Sequence, residues 1–227
     1  MPDGQPIVVS LAPAAPFTVG EIPSQVWTHP VVNDPMWRLS FEGFMSLPAL
    51  AERAAQDGQR ASIATMVAQV AAFHEQNRDP GTSAFGWDEG TAQRRLQAEN
   101  CLYALTGDDR LVPGMQADVD VQLGTRYYGP PLFSVHNHGL MANLRLVRAG
   151  QLLNRPMWVS NALGRMRSEA SLAFSPQGTS WEQSSGYQQF NVSLWNAAAD
   201  QLGSVPAYAS TAAAIRAITA RGRQVAG

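Results

Sequence analysis

The chain has 227 residues, which is enough for one large domain or two small ones with a sizeable core. Its formal net charge is −2 and it has no run rich in lysine or arginine, so the composition excludes a general nucleic-acid binder. Only 15% of the residues are charged and six are tryptophan, a balance that suits a groove for a neutral or sugar-like ligand and equally an alanine-rich helical protein.

The sequence contains no segment that we expect to enter a membrane. No run reaches the ~20 apolar residues of a transmembrane helix, and the amino-terminal residues carry early prolines without a basic start, which makes a poor signal peptide. The single cysteine, Cys101, cannot form an internal disulfide and is predicted to pack in the core. These features fit either a cytosolic protein or an excised part of a longer secreted chain.

The first 45 residues are predicted to be extended chain with turns. Seven prolines interrupt this segment, and proline fixes φ and removes a hydrogen-bond donor. One short strand is expected at Pro6–Leu11. We therefore place a boundary after residue 45, with a proline-rich segment over 1–45 and a helical domain over 46–227.

Eight helices are predicted in the remainder of the chain. In each of them apolar residues recur at helical spacing, and turns rich in glycine, proline and aspartate lie between them. The predicted helices are Leu47–Gln56, Arg60–Asn77, Asp88–Leu105, Arg110–Gly124, Val135–Asn154, Pro156–Phe174, Trp181–Leu202 and Thr211–Arg221.

Helices joined by short loops run antiparallel to their neighbours, and a succession of such hairpins gives a bundle, a superhelix or a closed toroid. The most distinctive loops, 80–87, 124–135 and 175–180, are separated by roughly two helices each. In a toroid, alternate loops emerge at one end, so their aromatic and arginine side chains would face one cleft. The predicted fold class is therefore all-α, an incomplete (α/α) toroid of antiparallel helical hairpins.

Three residues combine into a candidate site for removing a proton beside a carboxylate. Asn137 and His138 lie in the segment His136-Asn137-His138-Gly139, and Tyr187 follows 49 residues after His138. Taken singly, the asparagine is explained as a helix cap and the histidine as a structural residue. His136 and His138 would make half of a metal site, but no further cluster has metal-ligand spacing, so no metal is expected.

Tyr187 has two interpretations. The first is a tyrosine at the edge of the core, because apolar and aromatic residues follow it at helical spacing. This set is Tyr187, Phe190, Leu194 and Ala198. A catalytic role requires a tyrosinate, and an ordinary phenol has a pKa near ~10. A helix amino terminus and a nearby cation both favour the anion, and Arg126 or His138 would supply that charge.

Two further segments offer contacts for an acidic sugar. Trp87 would provide a stacking face, with Arg94 and Arg95 on the helix that follows it. The loop Arg126-Tyr127-Tyr128-Gly129-Pro130-Pro131 mixes aromatic residues with a cation, although it is equally explained as a rigid turn. The sequence has no phosphate-binding glycine loop, dinucleotide fingerprint or nucleophile elbow.

Together these segments resemble the heparinase II/III-like and alginate-lyase-like polysaccharide lyases. The matching stretches are Gly86–Thr91 leading to Arg94 and Arg95, Asn137–Met141 continuing to Ala149 and Gly150, and Phe174–Gly178 running into Glu182–Tyr187. Their order and spacing agree over about residues 35–225. The sequence departs from the family at Gln183-Ser184-Ser185, where Gly-Ser-Pro is more usual, and at Met141, where some members carry glutamate.

The resemblance implies an incomplete (α/α) toroid that is the catalytic half of enzymes continuing into a C-terminal β-sandwich region. It implies that Asn137 and His138 neutralise a uronate carboxylate or assist proton removal, and that Tyr187 acts as base, acid or both, without a cofactor. The partner implied is an acidic polysaccharide, and the parent protein would be secreted or periplasmic. The expected substrate contacts are Trp87, Arg94, Arg95, Arg126, Tyr127, Tyr128, His136, Glu182 and Gln183.

Two other functions also fit the sequence. An inverting glycoside hydrolase would use two carboxylates several ångströms apart, and the candidates are Asp88, Glu89 and Glu182. A non-catalytic helical module would bind an acidic oligosaccharide through local arginines, which are Arg94, Arg95, Arg126 and Arg148.

Overall fold

The computed structural model describes residues 8–9, 16–18, 32–79, 85–124, 137–180 and 185–226. The chain divides into two compact units, Met1–Leu123 (unit 1) and Gly124–Gly227 (unit 2). Apart from two short strands in unit 1, the regular structure of the described residues is helical. Among these residues, no helix is both long and apolar enough to cross a membrane.

Unit 1 has five α-helices among its described residues. They are α1 (Pro35–Glu42), α2 (Leu47–Gln56), α3 (Arg60–Gln76), α4 (Glu89–Thr106) and α5 (Val112–Leu123). A 3-10 turn over Asp109–Leu111 leads into α5, and strand β1 (Val8–Val9) pairs antiparallel with β2 (Phe17–Thr18). Helix α4 is the central element of the unit, because α1, α2, α3 and α5 all pack against it.

The apolar core of unit 1 forms where α3, α4 and α5 meet. Val70 and Phe73 of α3, Leu96 of α4, and Met115 and Val119 of α5 are fully buried. Removing each such side chain from water contributes about 1.5–3 kcal/mol to folding. This core fixes the positions of the polar side chains on the same three helices.

Local sequence signals set the ends of helices in unit 1. The Asp34 side chain accepts a backbone hydrogen bond in the first turn of α1, and Pro35 occupies a position where its missing N–H costs nothing. The Asp88 side chain caps α4 in the same way, by accepting from the N–H of Gly90. Gly107 ends α4 with a φ of 63°, in the left-handed region that favours glycine.

Unit 2 has four α-helices among its described residues. They are α6 (Asn137–Leu152), α7 (Pro156–Ala173), α8 (Ser185–Gly203) and α9 (Ala209–Ala226). Helix α6 packs against α7 and α8, and α9 packs against α7 and α8. The four helices therefore share one core.

A close approach of backbone holds the α6–α7 hairpin of unit 2 together. The N–H of Arg155 donates to the carbonyl of Gly150 at 2.7 Å, and Asn154 takes a φ of 51° in the turn. A Cβ at Gly150 would lie 2.7 Å from Cγ2 of Val159 on α7. Glycine at this position therefore lets α6 and α7 pack closely.

All eight predicted helices are confirmed, six of them with both ends within two residues of the prediction. The other two are the helix predicted at Trp181–Leu202, which is described from Ser185, and the one predicted at Thr211–Arg221, which spans Ala209–Ala226. The helix predicted at Arg110–Gly124 begins as a 3-10 turn. The strand expected at Pro6–Leu11 is confirmed at Val8–Val9.

Two expectations in unit 1 were wrong. The segment predicted to be extended through residue 45 contains helix α1, because Asp34 and Pro35 start a helix rather than interrupt one. Cys101 is only partly buried and does not lie in the core; its Sγ lies 3.8 Å from the carbonyl oxygen of Pro48.

Candidate functional site

Asn137 and His138 form the first turn of α6 in unit 2. Both side chains are half-buried, and Gly139, which follows them, is buried. The first turn of a helix carries backbone N–H groups without helical acceptors and the positive end of the helix dipole. An amide and an imidazole in this position are suited to hydrogen-bond an anionic group.

Tyr187 lies in the first turn of α8 and does not face the core. Its phenol side chain is 48% exposed, and its ring meets that of Phe190 edge to face with centroids 6.1 Å apart. The residues of α8 that are buried are Gln188, Asn191, Val192, Trp195, Ala198, Ala199 and Leu202. The interpretation of Tyr187 as a core-edge tyrosine was therefore wrong, and the phenol is accessible to solvent.

The helices that carry these three residues are neighbours in unit 2. Helix α6 packs against α8, and a buried polar pair ties α6 to α7. In that pair, Nδ2 of Asn143 lies 3.1 Å from both carboxylate oxygens of Glu169. The pair was not singled out in the sequence, because its two residues lie on different helices, 26 residues apart.

Trp87 and Arg95, both predicted to contact substrate, are buried inside unit 1. Trp87 is 1% exposed and Arg95 is fully buried. The guanidinium carbon of Arg95 lies 4.3 Å from the ring centroid of Phe73 and 4.9 Å from that of Trp87. Arg95 also donates to the carbonyls of Glu42 and Gly86 at 3.2 and 2.7 Å. The prediction is corrected accordingly: neither side chain has surface to offer to a polymer.

Arg94 and the acidic residues before it support helix α4 itself. Arg94 is half-buried and donates to the carbonyl of Gly90 at 2.7 Å. Burial lowers the pKa of its guanidinium, while Asp88 and Glu89 act in the opposite direction. The Asp88 side chain accepts from the N–H of Gly90 at 2.9 Å. This capping role accounts for Asp88 without hydrolase chemistry.

The other predicted contacts lie mostly outside the described residues. Arg148, offered as a local cation, is exposed on α6. The contacts that fall outside the described part of the chain, and therefore stay predictions, are Arg126, Tyr127, Tyr128, His136, Glu182 and Gln183.

A buried charged cluster in unit 1 was missed in the sequence. Nε2 of His74 on α3 lies 2.7 Å from Oε1 of Glu99 on α4 and 3.9 Å from Oδ2 of Asp118 on α5. Arg95 donates to both carboxylate oxygens of Asp118, with 2.8 Å from Nε to Oδ2. His74 looked isolated in the sequence because its partner Glu99 is 25 residues away on another helix.

Burial sets the protonation of this cluster. It raises the pKa of Glu99 to about 8 and that of Asp118 to about 7, and Arg95 acts against both shifts. Burial also lowers the pKa of His74 to about 4. Because Asp118 holds both guanidinium contacts, we assign to it the negative charge that balances Arg95. Glu99 then keeps its proton at neutral pH and shares a hydrogen bond with Nε2 of neutral His74.

His74, Glu99 and Asp118 are also the described residues that could hold a metal ion. Their ligand atoms lie within 4.8 Å of one another. However, Asp118 is already paired with Arg95, and a proton on Glu99 leaves the cluster without net charge. With this proton the charges of the buried cluster are balanced, as burial requires.

A cavity of about 480 Å³ adjoins the cluster between α3 and α5. This volume falls in the range of small-molecule pockets, and His74, Trp87 and Gly114 help to line it. His74 offers no available nitrogen to the cavity, since Nε2 is engaged by Glu99 and Nδ1 is buried. Glu75, a carboxylate that also lines the cavity, is largely exposed to solvent. Tyr187 of unit 2 remains our candidate for chemistry, because the resemblance pairs it with Asn137 and His138.

The fold of the chain is similar to that of solved heparan sulfate lyases. The lyase HepC from Pedobacter heparinus matches with a TM-score of 0.66 at 15% identity, and a mutant of HepC with 0.67 at 16%. A heparinase III with methylated lysines matches with 0.64 at 16%. Each match covers 92% of this chain. No known protein family and no curated protein sequence matches the chain.

At this level of identity the similarity shows the fold alone. It confirms the resemblance to heparinase-type lyases in fold, and it confirms the predicted class, an all-α incomplete (α/α) toroid of antiparallel helical hairpins. The chain spans only 35–37% of the length of these lyase chains. In fold, the chain therefore corresponds to about one third of each of these lyase chains.

Proposed function

We propose that the chain is the helical part of a polysaccharide lyase that cleaves an acidic, uronate-containing polysaccharide by β-elimination. The observation that carries the proposal is the lyase fold over 92% of the chain, combined with an exposed tyrosine at the start of α8. The helix packed against α8 begins with Asn137 and His138, the two residues that the resemblance pairs with Tyr187. A C-terminal β-sandwich region of the parent protein would complete the site.

The chemistry explains why these residue types are needed. Cleavage of a 4-linked uronate begins with removal of the proton at C5, which is weakly acidic while the neighbouring carboxylate is negative. Hydrogen bonds from Asn137 and His138 would neutralise that carboxylate, so that charge can spread into an enolate-like species. The first turn of α6 adds the positive end of a helix dipole.

Tyr187 would take the C5 proton and return a proton to the departing O4. The electron pair of the C5–H bond then forms the C4–C5 double bond, and the C4–O4 bond breaks. Base and acid work on one face of the sugar, so a single exposed phenol serves both steps. The exposure of Tyr187 supports this role because a polymer must be able to reach the phenol.

The test uses the full-length parent protein with Tyr187→Phe. We expect wild type to generate ultraviolet absorbance of unsaturated uronate ends on at least one of alginate, heparan-type chains, hyaluronan and glucuronan. Tyr187→Phe should lose about 100- to 10,000-fold in rate, the usual contribution of general acid–base catalysis.

Tyr208→Phe is the matched control for this test. It removes a phenol hydroxyl of unit 2 that accepts a hydrogen bond from Nε2 of Gln151 at 3.3 Å. This change should leave the rate unchanged. Full activity of Tyr187→Phe would refute the proposed role. Binding of an acidic oligosaccharide without turnover would favour a non-catalytic module, and saturated new non-reducing ends would favour a glycoside hydrolase.

A further inference from the structure

Gln188, the residue after Tyr187, connects helix α8 to the loop before it and to helix α9. Its Oε1 accepts from the N–H of Ser180 at 2.6 Å. Its Nε2 donates to the carbonyl of Gly178 at 2.8 Å and to that of Gly222, on α9, at 3.0 Å. The side chain is buried, and these three bonds engage the oxygen and both hydrogens of its amide.

Two glycines allow these pieces of backbone to approach. Gly178 has a φ of +91°, and a Cβ there would overlap the backbone of Arg221 on α9. A Cβ at Gly222 would lie 2.8 Å from Cγ2 of Val192 on α8. The loop before α8, the first turn of α8 and the end of α9 are therefore in direct contact, and Gln188 is the polar side chain at their junction.

This junction matters for Tyr187 because the phenol has little burial of its own. Tyr187 is 48% exposed, and its described ring neighbour, Phe190, is 46% exposed. The first turn of a helix lacks half of its backbone bonds and opens easily unless something ties it down. The backbone of Tyr187 is therefore held by the side chain of its neighbour.

We propose that Gln188 is a positioning residue that sets the place of the Tyr187 phenol. The inference rests on the proposed lyase function and assigns a role to a residue outside the Asn137, His138 and Tyr187 set. Gln188 affects the rate of the chemical step and leaves binding of the polymer intact, because its side chain is buried and does not reach the substrate. A misplacement of a catalytic group by about 1 Å costs on the order of 100-fold in rate.

The experiment compares Gln188→Met with Asn196→Ala in the full-length protein. Asn196 also links α8 to α9, through Oγ1 of Thr219 at 2.9 Å, but it lies more than two turns from Tyr187. We expect Gln188→Met to lower kcat by about 10- to 100-fold with KM nearly unchanged. Asn196→Ala should lower thermal stability by about as much as Gln188→Met does. Its kcat should stay within about 2-fold of wild type.

Hydrogen exchange supplies a readout that does not depend on activity. Amides of Ser180 and of the first turn of α8 should exchange faster in Gln188→Met than in Asn196→Ala. Gln188→Glu serves as a second variant: its carboxylate still accepts from Ser180 but faces the carbonyls of Gly178 and Gly222 without a donor. We expect the same local opening and loss of kcat in that variant.

The outcomes separate this inference from the proposed function. If Tyr187→Phe abolishes activity while both Gln188 variants retain kcat, or if the first turn of α8 exchanges no faster in them, Gln188 does not position the tyrosine. If Tyr187→Phe itself keeps full activity, the lyase mechanism fails and the inference fails with it.

Discussion

Arg95 shows how a single buried charge is accommodated in unit 1. Two of its N–H groups pair with Asp118, and others donate to the carbonyls of Glu42 and Gly86. All of these partners lie inside the unit, and neither Arg95 nor Asp118 is exposed. Removal of Asp118 would therefore leave a buried guanidinium without its counter-charge.

Asp118→Ala should lower the free energy of unfolding by about 3–5 kcal/mol, the usual cost of breaking a buried ion pair from one side. Urea denaturation of the purified protein measures this change. Arg110→Ala is the control, because its pair with Asp108 lies on the surface and such pairs contribute little. Equal effects of the two substitutions would contradict the role given to the cluster.

Gly114 is the second residue whose identity the cluster explains. A Cβ there would overlap His74 and would lie 2.7 Å from Oε1 of Glu99. Gly114→Ala should therefore destabilise the protein by about 1–3 kcal/mol, as overpacking does. Gly164→Ala, also inside a helix but with open space around it, should stabilise it by up to ~1 kcal/mol. A stabilising Gly114→Ala in thermal unfolding would show that the α3–α5 contact is looser than described.

The burial of Gln188 could not be predicted from apolar spacing. Tyr187, Phe190 and Leu194 recur at helical intervals, but so do the buried Val192, Trp195 and Leu202, so spacing alone does not choose between the two faces. The polar Gln188 lies on the second face, where its amide bonds three backbone groups. No sequence pattern indicates which backbone groups of a distant loop will need a donor.

Helices α3, α4 and α5 of unit 1 meet at a buried carboxyl group, Glu99, that keeps its proton at neutral pH. His74, Glu99 and Asp118 each come from a different helix, and Glu99 lies between a neutral imidazole and a carboxylate paired with Arg95. Burial raises the pKa of Glu99 from 4.5 to about 8. The folded state is therefore more stable when Glu99 is protonated than when it is ionised. The packing of α3, α4 and α5 should therefore depend on pH.

The sign of this dependence follows from the direction of each shift. The raised pKa of the Glu99 carboxyl gives stability that is lost as pH rises from 4.5 to about 8. The lowered pKa of His74 gives the opposite trend, with stability lost as pH falls from 6.5 to about 4. Because Asp118 stays ionised against Arg95, Glu99 is the group of this cluster that changes stability above pH 6.5.

Urea midpoints measured from pH 6.5 to 9 test this account. Wild type should lose stability up to about pH 8 and then level off. Glu99→Gln keeps a neutral amide in place and should show a much smaller loss over the same range. An unchanged slope in Glu99→Gln would mean that Glu99 is already ionised at neutral pH.

The helices themselves could be predicted from the sequence, whereas their polar contacts could not. Apolar periodicity and glycine, proline and aspartate turns are local properties, and they located all eight predicted helices. Helix α1 was not predicted, because prolines usually interrupt helices. Pro35 follows the capping residue Asp34 and instead starts the helix. The His74–Glu99 contact joins two helices and depends on how they rotate against one another, which periodicity does not specify.

At the scale of the whole molecule, the chain matches lyase structures over 92% of its own length and over 35–37% of theirs. The first turns of α6 and α8 carry the asparagine, histidine and tyrosine to which we assign the proposed β-elimination, and α6 packs against α8. The buried cluster of unit 1 serves stability, so we expect stability and catalysis to be separable by mutation.

The mass of the newly formed chain ends tests the central claim most directly. When the full-length protein degrades an acidic polysaccharide, elimination yields non-reducing ends that are one water lighter than those from hydrolysis. We predict that every newly formed non-reducing end carries this loss of water, and that Tyr187→Phe forms no such ends under the same conditions. Products with the full mass of hydrolysed ends would contradict the lyase assignment.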